Sequence, residues 1–253
     1  GQNVNSYGRD LTLSARRAGE DVRVQPLFAE LLGAVGGVEG IRRVRYTSPH
    51  PKDMTPDVYS AMAETPNVVP HLHFPLQSGS DRILAAMHRG YTAERYLEKL
   101  AEARSMIPDL AVSTDIIVGF PGETEEDFLE TMRVVRESRF ASAFTFQYSK
   151  RPGTPAATME DQVLLEVMDQ RLQRLQASLR RDQQAFNDAS VGKVCDVLIE
   201  RRGKQEGQWL GKSPWLQSVH FTGDVAMGDL VKVELIQDLP EGEDIKIYSH
   251  KRS

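Results

Sequence analysis

Residues 41 to about 150 repeat one pattern of hydrophobic and polar positions. Each repeat is a short run of β-branched or aromatic residues, a polar loop, and a segment with apolar residues every three to four positions. The runs are typical of strands and the segments of amphipathic helices. Their alternation predicts a parallel sheet with helices covering its faces. The predicted strands are Ile41–Tyr46, Val68–Phe74, Leu110–Gly119 and Ser142–Tyr148.

The repeats have recognisable helix starts and a length that suggests a barrel. Thr55 before Pro56 is typical of a helix N-cap followed by the first helical residue, and Thr124 with Asp127 resembles a capping box. Repeats of roughly 30 to 40 residues fit a (β/α) barrel, but a complete barrel needs ~250 residues, which is more than residues 1–160 provide. We therefore predict a partial, TIM-like (β/α) barrel over residues 1–160.

The pattern changes twice after this region. Residues 161–190 have leucines on one stripe and Gln and Arg on the other face, which predicts one long linking helix packed on the barrel. Residues 191–253 contain short alternating segments separated by Gly-containing turns, typical of a small antiparallel OB-like β-barrel. The five predicted strands cover residues 194–199, 209–211, 218–221, 231–236 and 245–248.

Composition is that of an ordinary globular protein. The 253 residues have a formal net charge of -5, with 40% hydrophobic and 26% charged residues, which excludes disordered and collagen-like classes. No apolar run approaches the ~18 to 20 residues of a membrane span, and Gly1 does not open a signal peptide, so we expect a cytoplasmic protein with no membrane partner. The single cysteine, Cys195, is expected to be buried and cannot alone hold an iron–sulfur cluster.

The loops that follow the predicted strands are the expected place for chemistry, because ligands bind beyond the carboxyl ends of parallel strands. They are rich in small and uncharged hydrogen-bonding residues, which suits a ligand with ribose hydroxyls, an amine and a carboxylate. Turn formation alone explains any one of them. The loops are Gly1-Gln2-Asn3-Val4-Asn5, Thr47-Ser48-Pro49-His50-Pro51, Pro75-Leu76-Gln77-Ser78-Gly79-Ser80-Asp81, Val118-Gly119-Phe120-Pro121-Gly122-Glu123 and Tyr148-Ser149-Lys150-Arg151-Pro152-Gly153-Thr154-Pro155.

Taken together, and with Met87-His88-Arg89-Gly90-Tyr91-Thr92, these loops resemble the radical SAM methylthiotransferases. The Arg-Gly-Tyr-Thr stretch favours the branch that modifies tRNA over the branch that modifies a ribosomal protein. The resemblance covers the whole chain, because residues 191–253 are similar to the family's RNA-binding TRAM domain.

The resemblance implies an enzyme that uses S-adenosylmethionine and two [4Fe–4S] clusters. Its tRNA branch adds a methylthio group to C2 of N6-isopentenyladenosine next to the anticodon. The family's cluster cysteines, three in an N-terminal domain and a C-x-x-x-C-x-x-C loop, do not occur in this sequence. We therefore expect a C-terminal fragment that ligates no cluster, is inactive by itself, and has Gly1 at the end of the second barrel strand.

The resemblance also implies cofactor-binding positions. Gln2 corresponds to the contact with the methionine amino group, and Gln77 with Ser78 to the contact with ribose or carboxylate. The fifth-strand segment is similar to the family's G-x-I-x-G-x-x-E motif, although Asp115 replaces the first glycine and Glu123 comes one residue late. The implied set is Gln2, Ser48, Gln77, Ser78 and the backbone of Val118 and Gly119.

Basic residues provide candidate contacts with substrate or RNA. Arg151 is expected to meet a carboxylate of substrate or cofactor, and a surface salt bridge explains it equally well. In the terminal region, basic residues interleave with Trp209 and Trp215, a combination that can hold phosphates and stack on bases. Tryptophans in the barrel core are the equal alternative. The basic residues are Arg201, Arg202, Lys204 and Lys212.

Three other functions remain open. The first is methylthiolation of a ribosomal-protein aspartate. The second is a non-catalytic RNA-binding protein in which the barrel is only a support. The third is a metal-dependent hydrolase using His50, His71 and His73, although His71 and His73 on one strand are better interpreted as satisfied core histidines. The sequence does not fix an oligomeric state.

Overall fold

The computed structural model describes residues 3–238 and 246–251 and divides into two compact units, one up to Arg180 and one from Arg181 onward. The first unit contains a parallel sheet with helices, and the second contains a small β-barrel. The predicted fold class is therefore confirmed. Within the described ranges, no helix combines the length and apolar character needed to cross a membrane.

The first unit is built on a three-stranded parallel sheet in the order β1-β2-β3. The strands are β1 (His71–His73), β2 (Ala111–Val118) and β3 (Ser142–Gln147). The helices are α1 (Arg9–Arg17), α2 (Phe28–Gly36), α3 (Pro56–Glu64), α4 (Asp81–Ala86), α5 (Ala93–Met106) and α6 (Glu125–Ser138), and short 3-10 turns cover Val4–Ser6, Pro51–Asp53 and Pro155–Thr158.

Two predicted strands are shorter than the apolar runs that suggested them. Of the run Ile41–Tyr46, only Val44 pairs, through an isolated parallel bridge with Val68. The next run forms a ladder only at β1, because Pro70 and Pro75 flank it and proline has no N–H to donate to a neighbouring strand.

Aromatic residues fix α5 and the loop after β1 against the sheet. Tyr96 of α5 is fully buried, its ring stacks on Phe74 at 4.6 Å, and its hydroxyl donates to the Phe74 carbonyl at 2.7 Å. The Tyr91 hydroxyl reaches the carbonyls of Pro75 at 3.2 Å and Leu76 at 3.0 Å. These bonds satisfy the carbonyls of a loop that cannot continue as a strand.

The helix starts agree with the sequence at α6 but only in part at α3. The capping box is present: the Thr124 hydroxyl accepts from the Asp127 N–H at 3.3 Å, and the Asp127 carboxylate accepts from the Thr124 N–H at 2.8 Å. The Thr55 side chain makes no capping hydrogen bond, although Pro56 does begin α3.

The long helix α7 (Leu165–Asp188) begins a few residues later than predicted and extends past the boundary between the two units. Leu175 and Leu179 are buried, as the stripe predicts. Arg171 is buried as well, which corrects the expectation that every arginine of this helix faces outward.

The second unit is a closed five-stranded barrel in the order β4-β5-β6-β8-β7. The strands are β4 (Val194–Arg202), β5 (Gln208–Lys212), β6 (Ser218–Thr222), β7 (Leu230–Asp238) and β8 (Lys246–Lys251). The β6–β8 pair is parallel, whereas a fully antiparallel barrel was expected. Closure removes exposed edges, which stabilises so small a sheet. Cys195 is buried, as predicted.

Candidate functional site

The sheet of the first unit has one face covered by helices and an opposite face that carries both polar and large apolar side chains. Leu72, Val112, Ile116 and Ala143 alternate along the strands and pack in the helix-side core. The residues between them therefore lie on the opposite face, called here the inner face. The inner face comprises His71, His73, Ser113, Asp115, Ile117, Phe144 and Phe146.

Gln77 lies at the carboxyl end of β2. Its N–H donates to the Asp115 carbonyl at 2.8 Å, and its carbonyl accepts from the Ile117 N–H at 2.9 Å. These bonds bring Gln77 to the same end of the sheet as Gly119, which follows β2. Gln77 is buried and has a φ of 67°, in the left-handed region that non-glycine residues seldom occupy. Such a conformation costs about 1 to 3 kcal/mol and is frequent at ligand sites.

Three polar side chains of the inner face form a hydrogen-bonded chain. His73 Nδ1 lies 2.9 Å from Ser113 Oγ, and His73 Nε2 lies 3.3 Å from Asp115 Oδ2. The edge of the Phe144 ring is close, with centroids 6.2 Å apart. The Asp115 side chain is 28% exposed, so His73 orients a carboxylate that still has free acceptor capacity. The arrangement can accept hydrogen bonds from hydroxyl or ammonium groups.

His71 lies on the same face but differs from His73 in its environment. It is 5% exposed, and its Nε2 has no hydrogen-bond partner within the described part of the chain. Burial lowers the pKa of His71 to about 3, so the imidazole is neutral. His73 is therefore a satisfied histidine as predicted, and His71 is not. Among the described residues, no three His, Cys, Asp or Glu side chains are grouped as metal ligands.

The loop after β2 is held by its own hydrogen bonds. The Gly119 N–H donates to Glu123 Oε1 at 3.0 Å, and the Val118 carbonyl accepts from the Tyr148 N–H at 2.8 Å. Gly119 has a φ of 75°, and a Cβ there would lie 2.2 Å from Met168 Cγ, so both the turn and the approach of α7 require glycine. Burial raises the pKa of Glu123, against the hydrogen bond from Gly119 and the charge of Arg171.

The other implied cofactor residues have different surroundings. The Ser78 hydroxyl lies 3.3 Å from Thr131 Oγ1 of α6 and accepts from the Ser80 N–H at 3.2 Å, so it is used on the helix side of the sheet. Ser48 is half-buried with a φ of 61°, in the separate loop before the turn at Pro51–Asp53. Gln2 lies outside the described residues.

Asp127 ties the start of α4 to the start of α6. Its carboxylate accepts from Ser80 Oγ at 2.6 Å and from the Arg82 guanidinium, which also donates to the Gly122 carbonyl at 2.5 Å. Burial alone would raise its pKa, but these bonds and those from Thr124 lower the pKa of Asp127 to about 2. Asp127 and Arg82 therefore link the loop that contains Gln77 to the loop that contains Gly119.

The candidate RNA residues belong to the second unit, whereas Arg151 is exposed in the loop after β3 of the first. Arg201, Arg202 and Lys204 are exposed, and Lys212 Nζ donates to Ser218 Oγ at 2.7 Å. The two tryptophans are each 8% exposed, with the Arg202 guanidinium 4.5 Å from the Trp209 ring. The structure thus favours the alternative in which the tryptophans belong to the barrel.

Several functional candidates were missed by sequence reasoning. Ser113 and the pairing of Asp115 with His73 depend on the register of β1 against β2, and the partner of Glu123 is Arg171, 48 residues away. The available signal was spacing: polar residues at every second position of two adjacent apolar strands indicate a shared polar face.

The sequence matches the Radical SAM superfamily over residues 6–135 and the TRAM domain over residues 188–241. A tRNA-2-methylthio-N(6)-dimethylallyladenosine synthase from Erythrobacter litoralis is 54% identical over 95% of this chain and 52% of its own length. Synthases of the same name from Novosphingobium aromaticivorans and Acidothermus cellulolyticus are 53% and 52% identical over 95% of this chain. The chain spans about half the length of the curated relatives it matches.

A solved structure, that of coproporphyrinogen III oxidase from Escherichia coli, covers 66% of this chain and 46% of its own with a TM-score of 0.47 at 15% identity. A likeness this low carries no inference about the site.

Proposed function

This chain belongs to the radical SAM superfamily, and we propose that it is part of an enzyme that adds a methylthio group to C2 of N6-isopentenyladenosine next to the tRNA anticodon. The superfamily match covers residues 6–135, a TRAM match follows it, and the relatives at 50 to 54% identity are named as tRNA-2-methylthio-N(6)-dimethylallyladenosine synthases. Such an enzyme acts in the cytoplasm, where its tRNA substrate is found.

The observation that supports the proposal most directly is the polar end of the sheet, where Gln77, Asp115 and Gly119 converge. S-adenosylmethionine carries ribose hydroxyls and an ammonium group, both of which donate hydrogen bonds. The Asp115 carboxylate is oriented by His73 at 3.3 Å and remains partly open, so it suits either donor. Gln77 is held to β2 at this end of the sheet by two backbone bonds, and Gly119, with a φ of 75°, begins the loop that follows β2.

The residues present do not fit an iron–sulfur cluster. A [4Fe–4S] cluster is held by several cysteine thiolates, and the single cysteine of this chain, Cys195, is buried in the β-barrel. We therefore assign the two clusters of the proposed enzyme to parts of the longer protein that lie beyond these 253 residues. S-adenosylmethionine with such a cluster supplies the radical chemistry, and this chain contributes cofactor positioning and RNA contacts.

The second unit is proposed to hold the tRNA. Arg201, Arg202 and Lys204 are exposed at the end of β4 and in the following turn, where their charges are available to phosphates. Phosphate contacts of this kind supply affinity and register rather than base specificity. Lys212 is a secondary candidate, because it already donates to Ser218. Arg151 is secondary because it belongs to the first unit.

The proposal is tested by S-adenosylmethionine binding and tRNA modification with the anaerobically purified full-length protein. We expect wild type to bind the cofactor and Asp115→Asn to bind it roughly ten- to hundredfold more weakly, since a hydrogen bond to a charged group contributes about 1.5 to 3 kcal/mol. The control is Asp57→Asn, which removes an exposed carboxylate in the first turn of α3. Absence of cofactor binding by wild type, or modification of a ribosomal-protein aspartate instead of tRNA, would contradict the proposal.

A further inference from the structure

A buried ion pair joins α7 to the loop after β2. Arg171 Nη1 lies 2.9 Å from Glu123 Oε1 and 3.1 Å from the Glu123 carbonyl. The side chains are 6% and 1% exposed, so water reaches neither charge appreciably. Arg171 Nε also lies 3.5 Å from Glu125 Oε2, and the guanidinium is 5.8 Å from the Phe128 ring centre.

The carboxylate of this pair also holds the backbone of the loop. Glu123 Oε1 accepts from the Gly119 N–H at 3.0 Å, so one oxygen connects the first residue of the loop to the helix. Met168, one turn before Arg171, occupies the space that a Gly119 side chain would need. The Gly122 N–H donates to the Asp161 carbonyl at 2.6 Å, just before α7. The helix and its leading segment therefore hold both ends of the loop.

Stability alone is a poor explanation for such a pair. Removing two charges from water costs about as much as their mutual attraction returns, and a well-packed apolar pair of similar size is often as stable. A charged pair with several donors and acceptors differs from an apolar pair because its hydrogen bonds fix the direction and the distance between the bonded groups. Its distinctive effect is to define where the Gly119 backbone lies.

We propose that Glu123 and Arg171 are positioning residues, which hold the Gly119–Glu123 loop in the conformation that S-adenosylmethionine requires. This inference rests on the proposed function, because it assumes that Gly119 borders the cofactor. Arg171 lies outside the superfamily match at residues 6–135, and its link to the loop runs through the Glu123 side chain.

The test compares two double variants of the full-length protein. Glu123→Gln/Arg171→Met removes both charges but keeps an amide oxygen that can accept from the Gly119 N–H. Glu123→Leu/Arg171→Met removes the same charges and also the acceptor. The matched control is Arg174→Met. Arg174 lies one turn along α7 and is bonded to Glu125 at 2.6 Å and stacked on Phe128, both in α6 rather than in the Gly119–Glu123 loop. Cofactor affinity, kcat, KM and thermal unfolding are measured for each.

We expect the glutamine double variant to unfold near the wild-type temperature, since it leaves no single buried charge. The leucine double variant should unfold at a somewhat lower temperature, because the Gly119 N–H loses its acceptor. The leucine variant should bind S-adenosylmethionine roughly tenfold or more weakly, because small misplacement of a binding group has effects of this size or larger. The glutamine variant should recover most of that loss, and Arg174→Met should bind as wild type does. In the leucine variant, kcat for tRNA modification should fall by a larger factor than KM for tRNA rises.

Two outcomes would overturn the inference, and they differ from failure of the proposed function. If wild type binds the cofactor and the leucine variant binds it equally well, the pair does not position the loop. If both double variants lose binding to the same extent while remaining folded, the Gly119 hydrogen bond is not the connection. Absence of cofactor binding by wild type would instead contradict the proposed function.

Discussion

Gly79 is predicted to be intolerant of a single methyl group. A Cβ at Gly79 would lie 2.5 Å from Thr131 Cα, 2.8 Å from the Glu130 carbonyl oxygen and 2.9 Å from the Thr131 nitrogen. All three atoms belong to the backbone of α6, which cannot move aside as a flexible side chain would. The Gly79 N–H also donates to Thr131 Oγ1 at 2.9 Å, a bond that requires the present close approach.

The magnitude for Gly79→Ala follows from three terms. Overpacking a well-packed site costs about 1 to 3 kcal/mol, and weakening the bond to Thr131 costs about 1 kcal/mol. The lower entropy of the unfolded alanine chain returns about 0.4 to 1 kcal/mol. The net loss of unfolding free energy is about 1 to 3 kcal/mol, which for a unit of this size lowers the Tm by roughly 3 to 10 °C.

The assay is urea unfolding followed by far-ultraviolet circular dichroism, with Gly33→Ala as the matched control. Gly33 lies within α2, and a Cβ there meets no heavy atom within 4 Å. The same substitution should therefore stabilise by about 0.5 to 1 kcal/mol through helix propensity. An unfolding free energy for Gly79→Ala within about 0.5 kcal/mol of wild type would refute the close-approach argument.

The remaining predictions concern pH and RNA. Burial alone would raise the pKa of Asp127, but its hydrogen bonds lower the pKa to about 2. The ionised carboxylate therefore stabilises the fold above about pH 4, and this stabilisation is lost as the pH falls to about 2. Acid titration of wild type should show a loss of about 2 kcal/mol in the free energy of unfolding that Asp127→Asn does not show. Burial lowers the pKa of His71 from 6.5 to about 3. The contribution of the neutral His71 side chain to the free energy of unfolding is therefore complete above about pH 6.5 and decreases as the pH falls toward 3. Urea unfolding at pH 7 and 5 should show roughly 2 kcal/mol of this loss in wild type and less in His71→Leu. Charge reversal of Arg201, Arg202 and Lys204 should weaken tRNA binding by the full-length protein and reduce its salt slope by about 2 to 3, and unchanged affinity at low and high salt would locate RNA binding elsewhere.

The periodic elements were predictable because each depends on neighbouring residues. The runs that gave β2 and β3, the capping box at Thr124 and the buried stripe of α7 all follow from local sequence. The strand at Ile41–Tyr46 failed for a non-local reason, since an apolar run becomes a strand only if a neighbour pairs with it, and only Val44 has such a neighbour.

The convergence of the candidate residues Gln77 and Gly119 was predictable, but their contacts were not. Loops after parallel strands converge by topology, so Gln77 and Gly119 could be expected at one end of the sheet. The partner of Asp115 could not, because it depends on strand register. Arg171 was counted as an outward residue because charged residues are seldom buried unless paired, and its partner Glu123 lies 48 residues away. Long-range ion pairs of this kind leave no periodic signal.

The central claim is tested most directly by nucleoside analysis of total tRNA from cells that lack the gene and from cells complemented with the full-length protein. We expect that 2-methylthio-N6-isopentenyladenosine disappears in the deletion, while its unmethylthiolated precursor accumulates, and that wild type restores it. Complementation with Asp115→Asn should restore it poorly and with Asp57→Asn fully. An unchanged level of the methylthiolated nucleoside in the deletion strain would contradict the account.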